Sequence, residues 1–385
     1  MNNEVLEWVP VWHQAITPMC FAGKPFKKDV TLCFRTKAYI SGEQIRLRFQ
    51  NTFGKTDYLF GAVTISLHGE IYDVTVGGAK SFSVPMGKSL YSDRIICDVK
   101  ELDELEIRLY YLNYIIDFNM TEEYATMMDG DTTHQLGTAP MKKPPFLKLT
   151  NSYNAVVSLD SVEVLSENAA KMIIAFGDSI TAMNRWCKPL SERLYKEFGS
   201  EYQLLNAGIS GNCLLYEKGG IIGKTLGRKG IDRFDVDAMS IEHLHSVIIG
   251  LGVNDVSYYN EKTKETINFE QYKRAITELT EKSHAHNVRV TMQTITPRLG
   301  CSFLVGKFTD QMEQLRLQIN DWIRTCNLFD YVFDADEVVR EKYKDGFRFA
   351  KHYQQGDFLH PNALGGKVLA DAYDLAKLTG EQKRG

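Results

Sequence analysis

A serine follows directly on an apolar run near the middle of the chain. Residues 172–176 read MIIAF, and Gly177, Asp178 and Ser179 come next, before a segment with helical spacing. The serine is therefore expected where a buried strand ends and a helix begins, which is where open α/β sheets place their ligand crevice. A hydroxyl at such a turn can attack an ester if a neighbouring base removes its proton.

A histidine and an aspartate near the carboxyl end could supply that base. Asp357 stands three residues before His360, a spacing that brings two side chains to one side of a single turn. Pro361 disfavours helical backbone at His360 and fits the first position of the closing helix. An imidazole titrates near neutral pH, and a carboxylate on its other nitrogen fixes the tautomer. These roles predict a catalytic triad of Ser179, His360 and Asp357.

Two further segments that contain glycine and asparagine also follow apolar runs. NAGISGN contains Gly211 and GLGVND contains Asn254, so each segment should follow the end of a strand. Ester cleavage places negative charge on the former carbonyl oxygen, and removing one fixed donor there costs about 3 to 4 kcal/mol. The candidate donors of this oxyanion hole are the N–H groups of Ser179 and Gly211 and the side chain of Asn254.

Each of these patterns has an ordinary structural alternative. Ser179 could only cap the following helix, because serine is favoured at that position. The D-x-x-H pair could be a detail of a helix cap, and Gly211 and Asn254 could only form turns. The occurrence of all four patterns in this order favours the catalytic interpretation.

The elements that must position these residues change character after Asn168. From about Thr31 to Leu165, short β-segments separated by glycine turns predict two packed antiparallel sheets, a β-sandwich or jelly roll. Beyond Asn168, strands alternate with helices, which predicts a parallel sheet covered on both faces. A chain of 385 residues also exceeds one ordinary core. We predict an accessory β-sandwich domain at 1–168 and a catalytic α/β domain at 169–385.

Two features inside these domains bear on the site. In the helix after Ser179, Leu190, Leu194 and Phe198 are spaced by four, so they should form its buried stripe. Residues 117–145 have no sustained period and are too long for an ordinary connection, and such segments often cover functional sites. The sequence leaves open whether this segment forms a lid or contacts a neighbouring subunit.

The four patterns resemble the four blocks of the SGNH (GDSL-type) hydrolases. They are G-D-S at 177–179, the glycine of GISGN, G-x-N-D at 252–255 and D-x-x-H at 357–360, and the match covers about residues 171–375. The resemblance implies a three-layer α/β/α fold and a carboxylic ester hydrolase with the triad and oxyanion hole named above. The amino-terminal segment is similar to the β-sandwich that precedes the catalytic domain in one branch of the family.

The chain departs from many relatives directly after the nucleophile, where they carry Asp-Gly and residues 182–186 read AMNRW. The leading hypothesis for the substrate is an acetyl ester on a sugar, from the resemblance and the accessory sandwich. A lysophospholipase or thioesterase acting on longer acyl chains is the alternative among enzymes. An inactive carbohydrate-binding relative is the alternative from another class, and it is suggested by the aromatic residues Tyr110, Tyr111, Tyr114 and Phe118.

Composition narrows the class of partner. The chain has 44% hydrophobic and 24% charged residues and a net charge of -4, which predicts a globular protein and argues against nucleic acid. No apolar run approaches the ~20 residues of a membrane-spanning helix. The first residues lack the apolar stretch of a secretory signal, and seven scattered cysteines favour reduced thiols, so a cytoplasmic location is expected. The expected partner is a small acyl ester or acylated sugar, with no metal or organic cofactor and an open oligomeric state.

Other candidate sites carry less weight. The segment GGIIGKT lacks the first glycine of a phosphate-binding loop, because Lys218 stands in its place. His284 and His286 lie at the end of a predicted helix, where a surface role is favoured over metal binding. His13 could reach the crevice from the β-sandwich or pack the first segment onto a core, and packing is favoured; the same holds for His134 in the segment 117–145.

Overall fold

The computed structural model describes residues 6–18, 28–121, 126–136, 154–167, 169–217, 223, 225–257, 259–260, 265–301 and 308–381. These residues form two compact units. The first unit contains the described residues within 1–170, 198–205 and 218–227. The second unit contains the described residues within 171–197, 206–217 and 228–385.

The amino-terminal part of the chain is built from β-strands. They are β1 (Glu7–His13), β2 (Thr17–Pro18), β3 (Val30–Lys37), β4 (Gly42–Gln50), β5 (Tyr58–Leu67), β6 (Glu70–Asp73), β7 (Phe82–Val84), β8 (Ser89–Tyr91), β9 (Ile95–Val99), β10 (Glu104–Tyr111), β11 (Asp117–Thr121), β12 (Thr126–Asp129), β13 (Asn154–Val157) and β14 (Leu159–Ser166). Strand β9 shows the alternating burial that the sequence predicts for these segments. Ile95, Cys97 and Val99 are buried, while Ile96 and Asp98 are exposed. This period of two is that of a strand with one face on a core.

These strands pair antiparallel. One sheet has the order β1-β14-β4-β8 with β9 also on β4, another has the order β12-β3-β10-β5-β6 with β7 on β5, and a small sheet has the order β13-β11-β2. Ile45 and Leu47 from the first sheet and Phe60, Ile65 and Ile107 from the second are fully buried. The prediction of an all-β, sandwich-like amino-terminal region is confirmed.

After residue 170, strands alternate with helices. The strands are β15 (Lys171–Gly177), β16 (Tyr202–Asn206), β17 (Leu244–Gly250), β18 (Tyr259–Asn260), β19 (Glu265–Thr266), β20 (Arg289–Gln293), β21 (Tyr331–Phe333), β22 (Arg340–Tyr343) and β23 (Gly346–Phe349). The α-helices are α1 (Ser179–Ala182), α2 (Cys187–Phe198), α3 (Gly230–Phe234), α4 (Phe269–Ala285), α5 (Asp310–Thr325), α6 (Ala335–Val339), α7 (Ala363–Ala372) and α8 (Leu375–Thr379). Short 3₁₀ or π turns occupy Gly199–Glu201, Asp235–Met239 and Lys351–Tyr353.

The central sheet has the strand order β16-β15-β17-β20-β21. The pairs β15–β17, β17–β20 and β20–β21 are parallel, which confirms the α/β prediction. The chain passes from β15 to β16 on one side and then to β17 on the other, so the strand order reverses at β15. Ligands of open α/β sheets bind outside the carboxyl ends of strands at such a reversal. Ser179 follows β15 there, and Asn254 follows β17.

The hydrophobic core of the α/β region includes the strand that precedes Ser179. Residues 172–176 of β15 are fully buried, as the apolar run indicates. On α2 the predicted stripe is confirmed, because Leu190, Leu194 and Phe198 are buried. Among the helices that the structure describes, none is long and apolar enough to cross a membrane.

The segment 117–145 differs from its sequence interpretation. Its first part contains β11, which pairs with β2 and β13, and β12, which pairs with β3. Strands this short offer too few residues for a period to be visible, so the interpretation of an unstructured segment was wrong there. Residues 137–145 lie outside the described residues, as does most of GGIIGKT. The lid and the absence of a phosphate-binding loop therefore stay predictions from the sequence.

Candidate active site

Ser179 lies at the first position of helix α1, directly beyond the carboxyl end of β15. The preceding Asp178 caps this helix, and its carboxylate accepts the N–H of Ile180 at 3.0 Å. A separate residue therefore provides the cap, so the Ser179 hydroxyl is not needed for that role. Ser179 is 7% exposed.

The predicted hydroxyl, imidazole and carboxylate come together in one chain of hydrogen bonds. The Oγ atom of Ser179 lies 2.8 Å from Nε2 of His360. The Nδ1 atom of His360 lies 2.6 Å from Oδ2 of Asp357. Ser179 and His360 are 181 residues apart in the chain, so their contact depends on the fold of the whole α/β region.

The tautomer of His360 follows from its two partners. Burial alone would raise the pKa of the Asp357 carboxyl, but hydrogen bonds from the His360 ring and from the N–H groups of Leu359 and His360 hold that pKa well below its usual range. An ionised carboxylate can only accept, so Nδ1 must carry the proton. In the neutral ring, Nε2 then presents its lone pair to the Ser179 hydroxyl, which is the arrangement of a general base.

A tight turn of hydrogen bonds fixes the segment that carries Asp357 and His360. The Oε1 atom of Gln354 accepts the N–H groups of Gly356 at 2.5 Å and Phe358 at 2.9 Å. The Oδ1 atom of Asp357 accepts the N–H groups of Leu359 at 3.0 Å and His360 at 2.9 Å. The aspartate therefore organises the backbone around the histidine in addition to binding its ring.

The start of the closing helix differs from the prediction. Helix α7 begins at Ala363, and Asn362 caps it by accepting the N–H of Gly365 at 2.9 Å. Pro361 lies two residues before the helix and forms an isolated β-bridge with Gln354. The placement of Pro361 at the first helical position was wrong because the Asn362 side chain supplies a stronger helix start.

Two of the three predicted oxyanion donors, Gly211 and Asn254, belong to loops that contact each other. Gly211 has φ = 75°, a left-handed backbone that suits glycine, and it lies in the loop after β16. Asn254 follows β17, and its Nδ2 atom donates to the carbonyl oxygen of Asn212 at 3.1 Å. Within the part of the chain that the structure describes, no hydrogen bond joins Ser179 directly to Gly211 or Asn254.

Further contacts hold the Asn254 loop in place. The buried Asp255 carboxylate accepts the N–H groups of Leu214 at 2.8 Å and Leu215 at 3.0 Å. The Nη1 atom of Arg298 donates to the carbonyl oxygen of Val253 at 2.9 Å. Both backbone and side-chain partners thus fix the loop that carries the Asn254 amide.

Arg233 is a residue of this site that the sequence analysis missed. Its guanidinium is almost fully buried and donates to the carbonyl oxygens of Gly177 and Ala207 and to Oδ1 of Asn212, each at 2.9 Å. Burial lowers the pKa of Arg233 while its ion pair with Asp237 opposes that change. The pair at i and i+4 in GIDRFDVD resembles an ordinary surface ion pair, so the sequence carries no signal for this role.

Four further histidines weighed in the sequence take structural positions: His13 is buried and His284 and His286 are exposed, as expected, whereas His134 lies at the surface instead of packing onto a core. His284 contacts Asp330 at 2.9 Å, and Nδ1 of His286 lies 2.9 Å from the Lys282 carbonyl oxygen. His134 contacts Asp73 at 2.9 Å on the surface. His13 is buried among β-strands, and this burial lowers its pKa to about 4.

The sequence model of the GDSL-like lipase/acylhydrolase family matches residues 175–368, about half of the chain. Similar solved structures include an acetyl xylan esterase from Geobacillus stearothermophilus, with 19% identity, a TM-score of 0.41, and coverage of 56% of this chain and 97% of that one. A GDSL-like lipase from Bacteroides thetaiotaomicron has 18% identity, a TM-score of 0.38, and coverage of 54% and 87%. Among curated proteins, none matches the sequence.

Proposed function

The chain belongs to the GDSL-like lipase/acylhydrolase family and is a carboxylic ester hydrolase, and we propose that it is a serine esterase that removes acetyl groups from carbohydrates. In this proposal Ser179 is the nucleophile, His360 is the general base and Asp357 orients the imidazole. The observation that carries it is the hydrogen-bonded chain from Asp357 through His360 to Ser179, with contacts of 2.6 and 2.8 Å.

Acylation begins with attack of the Ser179 oxygen on the ester carbonyl. A bond forms between Oγ and the carbonyl carbon while the hydroxyl proton passes to Nε2 of His360. The resulting imidazolium is stabilised by the ionised Asp357 carboxylate on its other nitrogen. The tetrahedral intermediate then collapses, the bond to the alcohol oxygen breaks, and Nε2 returns the proton to the departing alcohol.

Deacylation repeats these roles with water. His360 removes a proton from a water molecule, whose oxygen attacks the acyl carbon of the acyl-serine. The bond to Oγ breaks, Oγ recovers the proton from Nε2, and the free acid leaves. Each turnover therefore consumes one ester and one water and needs no redox partner.

The proposal assigns the oxyanion to three donors. They are the backbone N–H groups of Ser179 and Gly211 and the Nδ2 group of Asn254. The Asn254 amide carries two hydrogens; one donates to the carbonyl oxygen of Asn212, and the proposal gives the second to the substrate. Fixed donors of this kind stabilise charge without reorganising during the reaction.

The acetyl group and the carbohydrate form the narrower part of the proposal. Ser179 is 7% exposed and His360 is 4% exposed, so the acyl carbon must approach a confined pair of side chains. Confinement favours a short acyl group over a long one. The resemblance to the family branch with an amino-terminal β-sandwich supports a carbohydrate as the alcohol.

Covalent labelling tests the role of Ser179. A fluorophosphonate probe should label the parent protein and leave Ser179→Ala unlabelled. Ser191→Ala is the matched control, because Ser191 lies on α2 and donates to the Cys187 carbonyl oxygen instead of to a histidine. A parent protein that resists the probe, or a Ser179→Ala variant that still reacts, would contradict the proposed nucleophile and favour an inactive carbohydrate-binding relative.

Two substrate series test the narrower part. We expect faster cleavage of p-nitrophenyl acetate than of p-nitrophenyl decanoate, and release of acetate from glucose penta-acetate. Preference for the decanoate would exclude the acetyl ester and favour a lysophospholipase or thioesterase. If the protein cleaved p-nitrophenyl acetate but released no acetate from the sugar, the esterase activity would stand and a carbohydrate substrate would be excluded.

A further inference from the structure

The Asp357 carboxylate has a side-chain partner besides the catalytic imidazole. Its Oδ2 atom accepts from Nδ1 of His360 at 2.6 Å and also from Nε2 of Gln355 at 3.1 Å. Backbone N–H groups hold its Oδ1 atom, so Oδ2 is the oxygen whose environment side chains determine. Gln355 and the imidazole therefore share this oxygen.

The direction of the Gln355 amide is set by a second contact at its other end. The Oε1 atom of Gln355 accepts from Nη1 of Arg185 at 2.8 Å. A guanidinium can only donate and an ionised carboxylate can only accept. Only one orientation of the amide satisfies both neighbours, with oxygen toward Arg185 and nitrogen toward Asp357. The reversed amide would place like groups against each other at both ends.

Arg185 is itself held against the segment that carries the acid and the base. Its Nη1 atom also donates to the carbonyl oxygen of Pro361, directly after His360. Its backbone carbonyl approaches helix α7 so closely that a Cβ atom at Gly366 would lie 2.3 Å away. The side chain thus connects the segment after the nucleophile with both ends of the turn at 355–361.

From these contacts we propose that Arg185 and Gln355 are positioning residues, which orient and partly neutralise the Asp357 carboxylate while it binds the His360 ring. The proposal rests on the proposed function, since it assigns these residues an effect on the triad. Arg185 acts on the carboxylate through Gln355, which faces it. The proposal also gives a role to Arg185, which lies in the segment 182–186, where the chain departs from many relatives.

The pH profile distinguishes positioning from mere structural support. The Gln355 donor withdraws negative charge from Oδ2, so its removal should leave a carboxylate that stabilises the imidazolium more strongly. The ring must lose that proton before it can act as a base. In Gln355→Leu we therefore expect the acidic limb of kcat/KM to move to higher pH by roughly half a pH unit. We also expect kcat to fall roughly tenfold with little change in KM, because the carboxylate is less firmly held.

Arg185→Met should produce the same changes to a smaller extent, because Gln355 can still donate to Oδ2 but its Oε1 loses the contact that holds it. If Arg185 acts through Gln355, the double variant should lose no more than Gln355→Leu alone. Gln355 is exposed and Arg185 is half-buried, so neither substitution opens a core. The exposed residues Gln314 on α5 and Arg274 on α4 provide the matched controls Gln314→Leu and Arg274→Met.

The experiment measures kcat, KM and Tm of the full chain on p-nitrophenyl acetate from pH 5 to 9. Support consists of a shifted acidic limb in both single variants, no additivity in the double variant, and parental behaviour of both controls. The positioning role is overturned if Gln355→Leu keeps the parental pH profile, or if the two losses multiply. Failure of the proposed function is distinguishable, because there the parent itself would be inactive or Ser179→Ala would retain its activity.

Discussion

The Nη2 atom of Arg233 lies 2.9 Å from the carbonyl oxygen of Gly177, two residues before Ser179. The same guanidinium binds Oδ1 of Asn212, the residue after Gly211, so one buried cation joins the end of β15 to the loop that carries the proposed oxyanion donor Gly211. The Phe176 ring lies 4.0 Å below this guanidinium and excludes water from it. These contacts make the spacing of the two segments depend on a residue outside the proposed triad.

Replacing Arg233 by methionine should therefore damage both stability and catalysis. The Gly177 and Ala207 carbonyl oxygens and the Asn212 side chain would lose a buried donor, at about 1 to 3 kcal/mol for each unsatisfied group. We expect a lower Tm and a fall of at least about tenfold in kcat/KM on an aryl acetate, because the oxyanion loop loses its support. Arg228→Met, at a neighbouring exposed arginine, should leave both quantities near the parent. Parental activity in Arg233→Met would show that the loop spacing is set by other contacts.

The chemistry-bearing residues were predictable because each lies in a short, local pattern. The run before Gly177, the Asn254 segment and the spacing of Asp357 and His360 can each be read from a few consecutive residues. The rule that carboxyl ends of parallel strands share one edge applies to Ser179 and Asn254, which follow β15 and β17. The strand before Asp357 and His360, β23, lies outside the central sheet, so their contact with Ser179 was expected from the triad pattern alone. Local patterns of this kind are the part of a site that a single sequence discloses.

The supporting residues were not predictable, because their roles depend on contacts between distant segments. Arg233 binds a carbonyl oxygen 56 residues earlier, and Arg185 reaches Gln355 across 170 residues. Neither arginine differs in its sequence neighbourhood from one at the surface. The helix start at Ala363 was missed for a different reason, since Pro361 and Asn362 both favour a helix start and only the fold shows which one sets it.

Asp357→Asn should abolish most of the activity and leave the fold intact. The amide can donate to Nδ1, which favours the tautomer with the proton on Nε2, where it faces the Ser179 hydroxyl. A wrong tautomer costs ~10⁴ in kcat in a comparable triad. Steady-state kinetics would measure the loss of activity, and circular dichroism of the same preparation would check that the fold is intact. An unchanged kcat would mean that another group orients the His360 ring.

Asn254→Ala tests the third oxyanion donor. Loss of one such donor costs about 10² to 10³ in kcat, and KM should change little because the donor acts on charge that develops during the reaction. Asn268→Ala is an informative contrast, because Asn268 caps helix α4 by accepting the N–H of Gln271 at 2.9 Å and lies outside the site. It should lower Tm by a few degrees and leave kcat unchanged. If Asn254→Ala lowered Tm alone and kept its kcat, the Asn254 amide would be structural.

A buried carboxyl in the β-rich unit should make stability depend on pH. Burial raises the pKa of Asp117 to about 7, although the N–H of Phe53 and the hydroxyl of Tyr58 oppose the change. The ordinary value is 3.8, so between pH 4 and 7 the folded chain holds a proton that the unfolded chain releases. The stability contributed by this group is full below pH 4 and is lost as pH rises through 7.

Asp117→Asn should remove this dependence, because its amide stays neutral at every pH and can still accept the N–H of Phe53, which now lies 3.0 Å from Oδ1. Relative to the parent, the variant should gain stability as pH rises from 5 to about 7 and level off above it, measured as the difference in urea midpoint at each pH from 5 to 8. Asp98→Asn is the control, because the Asp98 side chain is 70% exposed and should give the same difference at every pH. A constant offset between Asp117→Asn and the parent across this range would mean that the Asp117 carboxyl keeps one protonation state on folding, against the effect of its burial.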